Sequence, residues 1–210
     1  MSLFDIWYRV NKEIYFLTFS NFQDAPQCPG IYAWYYPFRR SYDDIHEVIK
    51  EIQLVQSYDS KVHDISRAES EFKFKWLTYK TSIYREINAF DKKQIDSLWT
   101  SINSDINKIN AFDEIFMKCS ILMPPLYVGK TNNLKRRLHE HLFENTNKNS
   151  FHNRYKTFSE KNKLSVRNVD DLIFVCIENR NENISGEEKD IIQLIEKIML
   201  NCAKPAFSES

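Results

Sequence analysis

The 210-residue sequence predicts an α+β fold, with a small core drawn from both ends of the chain and an all-helical insertion over residues 38–123. Three observations predict it. Short aromatic and β-branched runs at 31–36, 126–129 and 172–177 read as strands. Segments with apolar residues three and four apart follow the second and third of them, as helices require. The stretch 38–123 contains neither glycine nor proline, and its apolar residues recur at helical spacing. With 42% apolar and 14% aromatic residues the chain has enough to bury a core, which fits one domain or one domain carrying a large insertion.

Residues 1–28 are mixed, with an aromatic-rich stretch from Trp7 to Phe22 that reads as either a helix or a strand added to the core. Pro29-Gly30 breaks the chain. Ile31 to Tyr36 follows as a strand, stopped by Pro37, with Tyr32, Trp34 and Tyr36 on one face and Ile31, Ala33 and Tyr35 on the other. In the insertion, Ile45, Val48, Ile49 and Ile52 mark one helix. Ile95, Leu98, Trp99, Ile102, Ile106 and Ile109 mark a stronger run, for about three helices in all. Lys73, Lys75, Trp76, Tyr79, Lys80, Tyr84 and Arg85 interleave bases with aromatics. That pattern suits nucleic-acid tracking, but an amphipathic helix explains it as well and is the favoured reading.

Pro124-Pro125 marks the return to the core, and Leu126 to Gly129 is a short strand. Thr131-Asn132-Asn133 offers N-caps for a helix to about Phe143, whose buried stripe is Leu134, Leu138 and Leu142. Leu172 to Ile177 is a third strand. Ser185-Gly-Glu-Glu188 has the form of a capping box, opening an apolar helix to about Leu200 that Pro205 stops.

Glycine is scarce. Gly30, Gly129 and Gly186 are the only three, so each is expected where a side chain will not fit or a turn demands it. The zero net charge hides a division: residues 130–167 carry ten Lys/Arg against three acids, and residues 168–210 nine acids against four bases. A basic block beside an acidic one fits a phosphate-binding face next to a metal-binding carboxylate, and ordinary surface patchiness fits it equally. The four cysteines, Cys28, Cys119, Cys176 and Cys202, form no C-x-x-C pair, which argues against a zinc site or a disulfide framework. No apolar run approaches the length of a membrane span, and the first residues lack the order of a signal peptide. A cytoplasmic location is therefore expected.

Three segments now stand in order: Gly30-Ile31-Tyr32, then Tyr127-Val128-Gly129-Lys130, then Asn133-Leu134-Lys135-Arg136-Arg137-Leu138 with His141. Arg137 lies ten residues after Tyr127, and Glu196 nine residues before Pro205. This pattern resembles the GIY-YIG nuclease family. The resemblance covers roughly 28–37 and 124–208 and leaves 38–123 unexplained. It implies a three-stranded, mainly antiparallel sheet flanked by helices. Two departures stand out. The loop usually joining the two signature strands has become a domain-sized insertion, which the slow growth of loop-closure entropy permits. The family's usual asparagine twelve residues after the glutamate is here Ser208, with Asn201 as a nearby substitute.

The resemblance implies phosphodiester hydrolysis with one divalent metal, Mg2+ or Mn2+, held by Glu196. Glu187 and Glu188 are rival ligands, although a place in the first helical turn accounts for them. Tyr32 is the candidate general base or water-positioning group, with Lys130 and the metal supplying the field a phenol needs. Tyr127 would share its pocket. Arg137 would hold the scissile phosphate with its planar fork, and His141, one turn on, would assist by hydrogen bonding or proton transfer. Lys130, Lys135, Arg136 and Ser208 are candidate phosphate or nucleic-acid contacts. The expected partner is nucleic acid, DNA ahead of RNA, with no membrane. A homodimer or a protein partner docking on the insertion is the further expectation. A catalytically weak binding module is the rival reading.

Overall fold

The computed structural model describes residues 14–57, 67–74, 77–84, 92–143, 150–179, 188–203 and 205–207. They fall into two compact units: 1–58 with 113–210, and 59–112. The first unit is built on a four-stranded sheet in the order β1-β6-β2-β5, with β1 at Ile14–Leu17, β2 at Gly30–Tyr35, β5 at Tyr127–Thr131 and β6 at Ile173–Glu178. Every pairing is antiparallel. The two signature strands are neighbours despite the long segment between them, and their register sets Tyr32 opposite Gly129 and Trp34 opposite Tyr127.

The expected three-stranded sheet has a fourth strand. Ile14–Leu17 adds to the edge of β6 because its alternation matches: Leu17 pairs with Phe174 and Tyr15 with Cys176. Leu17, Phe174 and Cys176 are all buried. Sequence alone left this stretch open between helix and strand, since four residues are too few to show a period.

The buried face of the sheet carries Leu17, Phe174, Cys176, Tyr32 and Trp34. It is covered by α4 (Leu134–Phe143) and α5 (Phe151–Lys161). In α4, Leu134, Leu138 and Leu142 are buried as their spacing predicts. Asn133 caps this helix, its side-chain oxygen accepting from the Arg136 amide at 2.8 Å. Helix α5 went unread in sequence, although Phe151, Tyr155 and Phe158 share one face and Ser150 accepts from the Asn153 amide at 3.3 Å. Polar residues fill most of its other positions, so its apolar signal is narrow.

Helix α6 (Glu188–Ala203) lies against β5 and β2. After it, the Phe207 amide donates to the Leu126 carbonyl at 2.8 Å and the Phe207 ring is fully buried among Phe151, Tyr155 and Phe158. Ser185, Gly186 and Glu187 of the expected capping box lie outside the described residues, as does Ser208.

Helix α1 (Ile45–Ser57) belongs to this first unit. Its Ile45, Val48 and Val55 are buried. Its Glu51 accepts from the hydroxyls of Tyr36, Tyr42 and Ser165, and from the Ser165 amide. Burial works against the charge on Glu51, but these hydrogen bonds outweigh it and hold the carboxyl below its ordinary value.

The second unit corrects the expectation of an all-helical insertion. It contains a hairpin, β3 (Arg67–Phe74) and β4 (Leu77–Tyr84), besides α2 (Lys92–Asn103) and the first part of α3 (Ile106–Cys119). The register pairs Phe72 with Tyr79, Phe74 with Leu77 and Ala68 with Ile83. The period there is two: apolar positions 68, 72, 74, 77, 79 and 83 alternate with polar ones. Of the bases and aromatics read as an amphipathic helix, Lys73 is on β3 and Tyr79, Lys80 and Tyr84 are on β4, while Lys75, Trp76 and Arg85 lie outside the described residues. The long apolar run at 95–109 divides as well, into α2 and α3. Within this unit Trp99 packs edge-on against Phe112, with ring centres 5.4 Å apart.

Gly30 is where the core tolerates no side chain. A Cβ there would stand 2.3 Å from the Ile177 carbonyl oxygen and 2.7 Å from a Leu134 methyl. Neither a backbone oxygen in a central strand nor a buried leucine can withdraw. Gly30→Ala is expected to lose about 1–3 kcal/mol of stability through overpacking, read as a lower midpoint in urea unfolding.

Candidate active site

Tyr32 sits near the middle of the sheet with 1% of its surface exposed. Its ring stacks on Phe174 from the same sheet face, with centres 5.2 Å apart, and on Tyr127 at 5.9 Å. Gly129 makes this possible: a Cβ there would lie 2.6 Å from the Tyr32 hydroxyl and 2.9 Å from the Tyr127 ring. The second signature glycine is therefore the floor on which both tyrosines stand.

Two groups from α4 meet the Tyr32 oxygen. Arg137 Nε donates to it at 3.0 Å, and His141 Nε2 lies 3.0 Å away. Arg137 and His141 are four residues apart on one helix, so both reach the same strand position. His141 is 6% exposed and packed edge-on against Tyr32, Trp34, Tyr127 and Phe151. Burial, then the nearby charge of Arg137 and then His152, lower its pKa to about 3. The imidazole is neutral at physiological pH. A guanidinium only donates, so the Tyr32 oxygen accepts from Arg137; a neutral His141 with its proton on Nδ1 would accept from the Tyr32 hydroxyl at Nε2, and the other tautomer would donate to it.

The phenol is not poised as a phenolate. Burial pushes its pKa well above the ordinary tyrosine range and the neighbouring Tyr127 adds to this, while Arg137 opposes both. The expected field at Tyr32 comes from Lys130 and a metal; the cation bonded to its oxygen is Arg137. Burial disfavours the Arg137 charge, but Tyr32 and Glu140 more than restore it.

Residues 115–201 match the family model described as the GIY-YIG catalytic domain. The similarity to that domain spans 87 of the chain's 210 residues. No curated protein and no solved structure matches it significantly. The match runs from before Tyr127 to beyond Glu196 and so leaves out the Gly30-Ile31-Tyr32 strand. That strand is joined to the GIY-YIG domain by its pairing with β5. The GIY-YIG family is one of nucleases, and the match indicates that general activity.

The remaining predicted residues are placed as follows. Lys130 follows Gly129 on β5, on the opposite face by alternation, and its Nζ is 3.2 Å from Glu196 Oε2 of α6. By the same alternation Tyr127 shares the face of Tyr32, so Lys130 and its partner Glu196 are not on the sheet face that carries the tyrosine–arginine–histidine group. Lys135 Nζ donates to the Gln23 carbonyl at 2.7 Å, tying α4 to the short 3-10 helix Phe19–Asp24. Arg136 is well exposed, with Nε 3.4 Å from Glu140. Trp34 and Tyr36 are core, both buried. Glu140, which sequence reading passed over, contacts both arginines; its spacing of three and four residues from them was the available signal.

Whether these residues fit a divalent cation turns on Glu196. Its carboxylate is about one-fifth exposed, and its Oε2 lies 3.2 Å from Lys130 Nζ. Among the described residues no group of three or more His, Cys, Asp or Glu gathers for a metal. One carboxylate is too little for a dedicated cage, but it fits Mg2+, which keeps several waters and takes other ligands from substrate phosphates. No helix among the described residues is long and apolar enough to cross a membrane.

Proposed function

We propose that this protein is a metal-dependent endonuclease that hydrolyses phosphodiester bonds in DNA, of a restriction-like, mobile-element or defence type. The supporting observation is the Tyr32 hydroxyl, fixed between a cationic donor, Arg137 Nε, and a neutral acceptor, His141 Nε2, each at 3.0 Å. In this reading His141 carries its proton on Nδ1 and accepts from Tyr32, and the Tyr32 oxygen takes a proton from water. In this reading water attacks phosphorus, the bond to the leaving oxygen breaks, and the water proton passes to Tyr32 as the phenol proton passes to His141. The relay avoids a lasting phenolate in a buried site. A phosphate anion beside Arg137 offsets the charge that disfavours an imidazolium at His141, so His141 gains basicity when substrate is bound. Arg137 holds the scissile phosphate.

Glu196 would hold Mg2+ or Mn2+, which when bound supplies charge neutralisation at the phosphate and at the leaving oxygen. Lys130 and the exposed Arg136 add sequence-independent phosphate contacts. Lys135 contributes to the same basic face while bracing α4. Residues 38–123 would carry substrate or partner recognition, with 1–37 and 124–210 as the nuclease core.

The test is cleavage of plasmid, single-stranded DNA and RNA with Mg2+ or Mn2+ against an EDTA control. Arg137→Ala and Glu196→Gln are each expected to fall by about 10²–10³-fold or more. If DNA survives and RNA is cut, the substrate assignment is wrong. If wild type leaves every substrate intact, the enzyme reading fails in favour of a binding module.

A further inference from the structure

Arg137 makes two directed contacts through two different nitrogens. Nε donates to the Tyr32 oxygen at 3.0 Å, and Nη1 lies 2.9 Å from Glu140 Oε2. The other Glu140 oxygen, Oε1, is 3.4 Å from Arg136 Nε. Glu140 sits one turn beyond both arginines on α4, so helix geometry alone brings the three together. A planar guanidinium held at two of its nitrogens has its plane fixed, and neither contact uses Nη2.

We propose that Glu140 is a positioning residue for phosphodiester cleavage: it orients the Arg137 guanidinium against the Tyr32 oxygen and presents the rest of that plane to the phosphate. The inference rests on the nuclease reading. The charge of Glu140 argues for orientation rather than affinity. A carboxylate bonded to a phosphate-binding arginine repels the incoming phosphate and dilutes the cation it meets, so it weakens binding. What it provides is geometry, and misplacing a reacting group by about 1 Å can cost 10²-fold in rate. An ordinary surface pair at this spacing would instead contribute a little helix stability and nothing to turnover.

The experiment uses the full chain with Glu140→Ala and Glu140→Gln. The first readout is the nuclear magnetic resonance signal of the Arg137 Nε–H, identified by its absence in Arg137→Lys. It should be sharp and protected in wild type, broadened or lost in Glu140→Ala, and intermediate in Glu140→Gln, which keeps a neutral acceptor. The second is kcat on DNA together with Kd for a fluorescent DNA duplex in EDTA. Glu140→Ala should lower kcat by about 10-fold to 10²-fold, with Kd unchanged or tighter. An unchanged Nε–H signal in Glu140→Ala overturns the positioning role whether or not the protein cuts DNA. A changed signal with unchanged kcat overturns its bearing on catalysis. If wild type cuts nothing while the signal responds as expected, the nuclease reading fails and the orienting contact stands.

Discussion

Tyr32→Phe is expected to lower cleavage by about 10²–10⁴-fold, the range that a positioned proton-transfer group contributes. The substitution removes one oxygen and leaves the ring, which supplies the packing. Phe174, Tyr127 and His141 would still meet an aromatic face at the same place. What disappears is the shared partner of Arg137 Nε and His141 Nε2. His141 loses a hydrogen bond in a buried setting, at about 1–3 kcal/mol for an unsatisfied group, and the part-exposed Arg137 loses one that water can replace, so some loss of stability accompanies the loss of rate. The two effects separate on the denaturation curve: a protein still folded at the assay temperature but inactive locates the defect in the hydroxyl. Cleavage within tenfold of wild type would remove Tyr32 from the proton path and leave it as a stacking residue.

The parts of this site that were legible in sequence are those set by short-range rules. Alternation placed Tyr32 and Trp34 on one strand face, where both are buried. Helical spacing gave the Leu134, Leu138 and Leu142 stripe and put Arg137 and His141 on a common face of α4. The scarcity of glycine pointed to Gly30 and Gly129, and both are places where a Cβ would collide. What sequence did not reveal is pairing across distance. Lys130 and Glu196 are sixty-six positions apart, and nothing in either segment announces that one would answer the other's charge. The contact of Arg137 with Tyr32 was hidden for the same reason: both Lys130 and Arg137 are basic, and only the register of β2 against β5, with α4 above it, decides which one bonds the hydroxyl. The hairpin Arg67–Tyr84 was missed differently. Bases and aromatics were read at a helical period where the apolar positions have a period of two.

The buried imidazole also makes an acid-lability prediction that does not depend on substrate. Folded His141 titrates at about 3, whereas an unfolded histidine titrates near 6.5. Between those values the unfolded chain binds a proton that the folded chain refuses, so stability rises with pH across the window. This contribution is complete above about 6.5 and is lost as the pH falls toward 3, at about 1.4 kcal/mol per pH unit. Carboxylates such as Glu51, held below its ordinary value, destabilise the protein in acid as well, so the wild-type curve alone does not isolate the histidine. The comparison with His141→Gln does. Every other group titrates alike in the two proteins, and the variant lacks only the imidazole. The variant is expected to be less stable at pH 7, because the glutamine replaces a well-packed ring that accepts from Tyr32. Its deficit should shrink as the pH is lowered from 6.5, by about 1.4 kcal/mol for each unit. Urea unfolding at intervals across that range measures the difference directly. Parallel curves would mean that His141 takes up its proton in the folded state, and a charged imidazole could no longer be the acceptor that orients the Tyr32 hydroxyl.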